Sequence, residues 1–177
     1  MPNWCNNSIT ITGPKNKIEA LWIAAKLGKD CSLLNAMVPM PEELVGTVAD
    51  GGDGPDWYNW RISNWGTKWD VELDGLEFID HGDGTAEIDG YFDSAWASPV
   101  AAYAYYFEAN DDVQIEAYYD EMGSSCVGSY TSEDGDESYD YSEATSTTVR
   151  DIVPDYLVEY YDLEERLKFD EEFDDKS

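Results

Sequence analysis

At 177 residues, with thirteen tyrosines and seven tryptophans, the chain has the length of one domain with an appendage and is too aromatic for a disordered acidic polypeptide. Its formal charge of -29 sets thirty-nine acids against ten lysines and arginines, beyond the magnitude of roughly 2–8 that suits a small soluble domain. That balance argues against direct nucleic-acid binding, which needs basic side chains on phosphates, and against attraction to an anionic membrane surface.

The charge is also uneven. Residues 1–40 hold four lysines against Glu19 and Asp30, whereas residues 108–177 hold four basic residues against twenty-three acids. Cys5, Cys31 and Cys126 form no CxxC pair, no N-terminal stretch joins basic residues to a secretory apolar run, and no apolar window is long enough to span a membrane. Reduced, buried thiols in a cytoplasm are expected.

In chain order, residues 6–12 alternate, with Ile9 and Ile11 on one face and Ser8, Thr10 and Thr12 on the other, which predicts a half-buried strand. Gly13-Pro14 then opens a helix over Lys15–Leu27, in which Ile18, Leu21, Trp22 and Ala25 recur at helical spacing before Gly28. Residues 31–56 read as a connection punctuated by Pro39, Pro41 and the run Asp50–Pro55. A short helix over Trp57–Trp65 follows, then a strand with Trp69, Val71 and Leu73 on one face and Asp70, Glu72 and Asp74 on the other.

Strands over Leu76–Ile79 and Ala86–Phe92 flank Gly82-Asp83-Gly84, a hairpin turn by its glycines. A second helix after Ser98-Pro99 is predicted to bury Val100, Tyr103, Ala104 and Phe107. Val113–Tyr119 alternates as another strand, with Cys126–Tyr130 its pairing candidate. Residues 129–146 read as either an exposed loop or a polar hairpin, Asp155–Phe169 as an amphipathic helix, and 170–177 as an acidic fray. The expected class is α+β: a ferredoxin-like antiparallel sheet with helices on one face over residues 1–130, with an insertion near 31–75, and an acidic helical extension over 131–177.

Four blocks carry a family resemblance: Met1-Pro-Asn-Trp-Cys-Asn-Asn7, Val38-Pro-Met-Pro-Glu-Glu-Leu44, Trp57-Tyr-Asn-Trp-Arg61 with Asn64-Trp-Gly-Thr-Lys-Trp-Asp70, and Phe92-Asp-Ser-Ala-Trp-Ala-Ser-Pro99. Together, over about residues 1–130, they resemble the YubB-like proteins of bacteriophages and plasmids. The resemblance implies a ferredoxin-like domain of mobile-element origin, and it brings no catalytic residues with it.

Chemistry-bearing patterns are sparse. Calcium-loop spacing fails from Asp134, where positions six and twelve are Tyr139 and Thr145, and from Asp80, where positions three and five are Gly82 and Gly84. The single histidine, His81, sits in a glycine turn with no nucleophile elbow or Walker loop in the sequence. Neither a metal, a cofactor nor an enzymatic activity is expected.

Two surfaces remain as candidates. Rows of carboxylates at Asp70, Glu72 and Asp74, at Glu87 and Asp89, and at Asp155, Glu159 and Asp162 on the C-terminal helix imitate a polyanion. They suggest a DNA mimic that inhibits a host DNA-binding protein, such as a defence nuclease or restriction system, in the bacterial cytoplasm. The alternative is a protein- or ligand-binding module built on Trp57, Trp60, Arg61, Asn64, Trp65, Lys68 and Trp69, with acidity serving only solubility.

Overall fold

The alternation around Ile9 and Ile11 runs further than its apolar residues suggest: β1 spans Trp4–Pro14 in a computed structural model that describes residues 3–28, 32–49 and 54–174. β3 (Thr85–Ala95) and β4 (Gln114–Glu121) flank it, β2 (Leu76–Asp80) pairs with β3, and β5 (Cys126–Thr131) and β6 (Gly135–Asp140) continue beyond β4. The result is one six-stranded sheet in the order β2-β3-β1-β4-β5-β6, with every pairing antiparallel. The α+β class stands. Cys31 and part of the predicted Asp50–Pro55 connection lie outside the described residues.

Because strand side chains alternate, register divides the sheet into two faces. The first carries Ile9, Ile11, Ala86, Ile88, Ile115, Ala117 and Tyr130 into the main core. Helix α1 (Lys15–Leu27), as predicted, lays Ile18, Leu21 and Ala25 on that face. Helices α2 (Leu33–Met37), α3 (Trp57–Asn64) and α4 (Val100–Ala109) complete the layer. Each Leu or Ile sealed there contributes roughly 1.5–3 kcal/mol. α4 is rotated from its expected stripe. Ala102, Tyr103 and Tyr106 are buried, Ala104 is exposed, and the small Ala102 faces the backbone of Trp65, whose carbonyl accepts its N–H at 3.4 Å.

The predicted strand over Trp69–Leu73 does not form. Its alternation in burial is real, with Val71 and Leu73 inside, but its hydrogen bonds go to α2 instead of a ladder. Asp70 accepts the N–H groups of Leu34 (2.7 Å) and Asn35 (2.8 Å), and the Val71 carbonyl accepts that of Leu33 (3.5 Å). Ser32, the residue at the N-cap, makes no side-chain cap bond, so Asp70 supplies the acceptor from across the chain.

The undecided stretch 129–146 resolves into the β5–β6 hairpin and the turns after it. Beyond it, the single predicted helix is two, α5 (Asp155–Tyr160) and α6 (Leu163–Asp174), broken where Asp162 takes a left-handed φ of 50°. On a continuous helix Leu163 would sit about 120° around the axis from Leu157. The break lets both join Val127, Tyr141, Val149, Val153 and Val158 in a second core on the opposite sheet face. Helical residues continue to Asp174, where an acidic fray was expected from Asp170.

Candidate functional site

On its second face the sheet is covered over β4–β6 and, apart from Tyr160 of α5 reaching the Tyr91 hydroxyl, bare over β2, β3 and β1. β3 presents Glu87, Asp89, Tyr91 and Asp93 there, while β1 presents Trp4, Asn6, Ser8, Thr10 and Thr12. Glu77 of β2 stands directly opposite Asp89. Like charges placed directly opposite are destabilising in a sheet. Thr10 donates its hydroxyl to Asp89 (2.7 Å), Asn6 its amide to Asp93 (3.3 Å), and His81 approaches Glu87 at 3.5 Å. No lysine or arginine is among the described strand residues of β1, β2 or β3.

The expected carboxylate rows separate into different roles. Glu87 and Asp89 share the bare face, as alternation requires, at a spacing of about 6.6 Å. Asp70 leaves its row to cap α2; burial pushes its carboxyl above the ordinary aspartate range, opposed by its backbone hydrogen bonds and by Arg61. Glu72 and Asp74 stay exposed beside β3. Asp155 and Glu159 are tied to Arg150 at 2.9 and 3.5 Å, and Glu164 joins them at 2.7 Å. Asp162 sits in the α5–α6 break. The C-terminal stripe is therefore gathered around Arg150 at the surface, with Asp155 and Glu159 still largely exposed.

The tryptophan block divides as well. Trp65 is fully buried and donates its indole N–H to the Val38 carbonyl at 2.9 Å, and Trp60 packs edge-on against it. Trp57 and Trp65 both lie against the Arg61 guanidinium, at 5.2 and 4.8 Å, and Asn64 donates back to the Trp60 carbonyl. Of the set only Trp69 is exposed, and the half-buried Lys68 lays its ammonium over the rings of Trp69 (4.9 Å) and Trp96 (5.1 Å).

Trp69 meets Trp4 across a cleft of about 580 Å³ at the end of the bare face, their ring centroids 5.9 Å apart and tilted by 44°. Tyr91, Asp93, Glu72 and Asp74 complete the walls. The loop holding Glu72 and Asp74 reaches β3 because position 90 is glycine. A Cβ there would lie 2.1 Å from the Gly75 carbonyl oxygen, at a φ of +141°. Sequence reasoning missed Trp4, Glu77, Tyr91 and Asp93. Parity was the available signal: extending β1 back by two places Trp4 beside Asn6, Tyr91 follows Asp89 within the predicted strand, and one further residue brings in Asp93.

Burial pushes the Cys5 thiol up to about 12, with Ser94 opposing and Asp120 and Glu121 reinforcing, so it carries no thiolate at neutral pH. Among the described residues no three His, Cys, Asp or Glu side chains converge as a metal ion requires, and no helix is long and apolar enough to cross a membrane. The site can offer carboxylates and aromatic faces, a chemistry suited to cations. No family model matches the chain, and neither a curated protein nor a solved structure matches it.

Proposed function

We propose that this chain is an interaction protein whose bare sheet face stands in for a polyanion and captures the basic surface of a nucleic-acid-binding protein. The observation that carries the reading is the set Glu77, Glu87, Asp89 and Asp93, held in register on stiff strands with no strand lysine or arginine to neutralise it. Glu77 against Asp89 costs stability where the protein stands alone, and a cationic partner would relieve that cost. On β3, Glu87 and Asp89 are about 6.6 Å apart and Asp89 and Asp93 about 13 Å, because Tyr91 lies between them, against one phosphate per 3.4 Å along each DNA strand. The β3 row therefore offers roughly a third of the linear charge of a duplex strand, which suits occupation of a basic cleft more than replication of its full phosphate pattern.

The order β2-β3-β1-β4, with a helix after β1 and another after β3, supports a ferredoxin-like reading of the central unit. The blocks resembling YubB-like proteins also meet in space. Asn7 bonds Ser94 (2.8 Å), Thr67 bonds the Ala95 carbonyl (2.8 Å) and Trp65 bonds Val38 (2.9 Å). That resemblance makes a host defence protein in the bacterial cytoplasm the partner class to try first.

The test uses a purified, non-sequence-specific bacterial DNA-binding protein as probe, with duplex DNA as competitor. Binding is expected to fall steeply between about 50 and 200 mM salt and to be displaced by the duplex. The triple variant Glu77→Gln, Glu87→Gln, Asp89→Asn should weaken it by about tenfold or more. Binding that ignores both salt and the triple variant would overturn the reading.

A further inference from the structure

The cleft between Trp4 and Trp69 has a character distinct from the carboxylate row beside it. Its volume of about 580 Å³ falls within the roughly 300–1,000 Å³ of small-ligand sites. Three large rings are exposed at its mouth, Trp4 by 50%, Trp69 by 37% and Tyr91 by 59%. Aromatics left in solvent at one spot mark a recognition site more often than isolated exposed residues do. The carboxylates of Glu72, Asp74 and Asp93 share the same walls.

Rings and carboxylates select together. An anion is repelled by the acids, and a purely apolar group leaves the carboxylates of Glu72 and Asp74 to be desolvated unpaired. A cation satisfies both. The chain itself provides an instance, since Lys68 rests its ammonium on Trp69 and Trp96 and, among the described residues, forms no ion pair with a carboxylate. Trp4 and Trp69 pack on each other as a tilted pair and Lys68 already lies over Trp69, so the half-exposed Trp4 indole offers the larger free ring surface.

We propose that this cleft seats an arginine side chain presented by a basic polypeptide segment, its guanidinium stacked on the Trp4 or Trp69 indole and forked to Asp74 or Glu72. Guanidinium is planar, weakly hydrated and able to hold a carboxylate with two parallel N–H bonds, which favours it over the compact ammonium of lysine here. The inference deepens the reading of a basic partner, but rests on residues outside the Glu77, Glu87 and Asp89 set.

The test is a titration of the full chain at low salt with a hexa-arginine peptide and with its neutral hexa-citrulline counterpart, following the indole N–H resonances of Trp4 and Trp69. The arginine peptide should move both saturably and the citrulline peptide neither. Asp74→Asn with Glu72→Gln, both exposed positions, should weaken that binding by about tenfold, while an unmoved resonance from buried Trp65 reports an intact fold. Indoles that stay put, or that citrulline or a neutral oligosaccharide moves equally, overturn the proposal. The triple variant of the carboxylate row separates the two ideas. If it abolishes capture of the DNA-binding protein while the indoles ignore arginine, the cleft alone fails; if the indoles respond and the triple variant changes nothing, the row alone fails.

Discussion

The second face of the sheet has two halves of similar acidity and opposite fates. Over β4–β6 several of the acids are answered. Asp120, 4% exposed, receives the Arg166 guanidinium and the Tyr141 hydroxyl (3.2 Å), Arg150 gathers Asp155, Glu159 and Glu164, and Glu171 accepts from the Ser146 N–H (2.7 Å) and hydroxyl (2.8 Å). Over β2, β3 and β1 the acids have threonine, asparagine and one histidine for company. The chain has three arginines; two lie in the closed half and the third is stacked between Trp57 and Trp65. A charge of -29 is thus no uniform coat. Where the few cations go decides which carboxylates build the molecule and which are left to meet a partner.

The strongest way to break this contrast is to remove the cation that closes one half. In Arg166→Ala the Asp120 carboxylate stays buried with only Tyr141 as a partner. Truncating one member of a buried pair typically costs 3–5 kcal/mol, and because Arg166 is itself 26% exposed and water can reach the vacated site, about 3 kcal/mol is expected. Urea unfolding measures it. Replacing both partners, Asp120→Leu with Arg166→Met, should recover most of the loss, since a buried ion pair roughly breaks even against apolar residues of similar volume. A single substitution costing under about 1 kcal/mol would mean that the apolar cluster around Leu157 and Leu163 closes this half unaided.

A smaller effect separates acids that look alike in sequence. Asp70 and Glu72 are two residues apart, yet one caps α2 and the other is free at the cleft. In Asp70→Ala two opposing terms meet: relief from the desolvation that pushes this carboxyl up, and loss of the acceptor for the N–H groups of Leu34 and Asn35. Leu34 is fully buried, so its amide gains little from water and the second term wins, at about 1–2 kcal/mol. Glu72→Gln should stay within about 0.5 kcal/mol. Equal costs in denaturant melts would restore the idea of one uniform row.

These cases also show what the sequence could reveal. Period two identified the faces of β1, β3 and β4, and period 3.6 with Gly13-Pro14 and Gly28 located α1, because those elements bury one face against one layer. The same rule misread residues 69–73, whose inward Val71 and Leu73 alternate as a strand would while the backbone bonds to α2, a long-range choice that no local pattern encodes. It also joined α5 to α6, since nothing near Asp162 announces a stop. Burying Leu157 and Leu163 together depends on a cluster that Val127 and Tyr141 contribute from elsewhere. Of the site, Glu87 and Asp89 were legible from alternation. The cleft was not, because it assembles strand ends with a loop docked through Gly75 and Gly90.

The finest test of the contrast is pH. Arg150 holds the Glu164 carboxyl below its ordinary value of 4.5, and the Ser146 amide followed by its hydroxyl does the same for Glu171. A carboxyl with a lower pKa folded than unfolded contributes stability that is complete above its unfolded value and is lost as pH falls through its folded value. Acidification from pH 6 to below 4.5 should therefore loosen the attachment of α6. The open half has carboxyls held low only at its rim, Asp80 by the Lys15 ammonium and Asp83 by the Thr85 hydroxyl at the β2–β3 turn, away from the middle of β1 and β3. Hydrogen exchange, corrected for the intrinsic slowing in acid, should show protection falling at Ser146 and along α6 while amides in the middle of β1 and β3 hold. Both glutamates lie at the surface, so the difference should shrink in high salt. Loosening that begins in β3 would place the pH-sensitive contacts in the open half and reverse the assignment of structural and available acids.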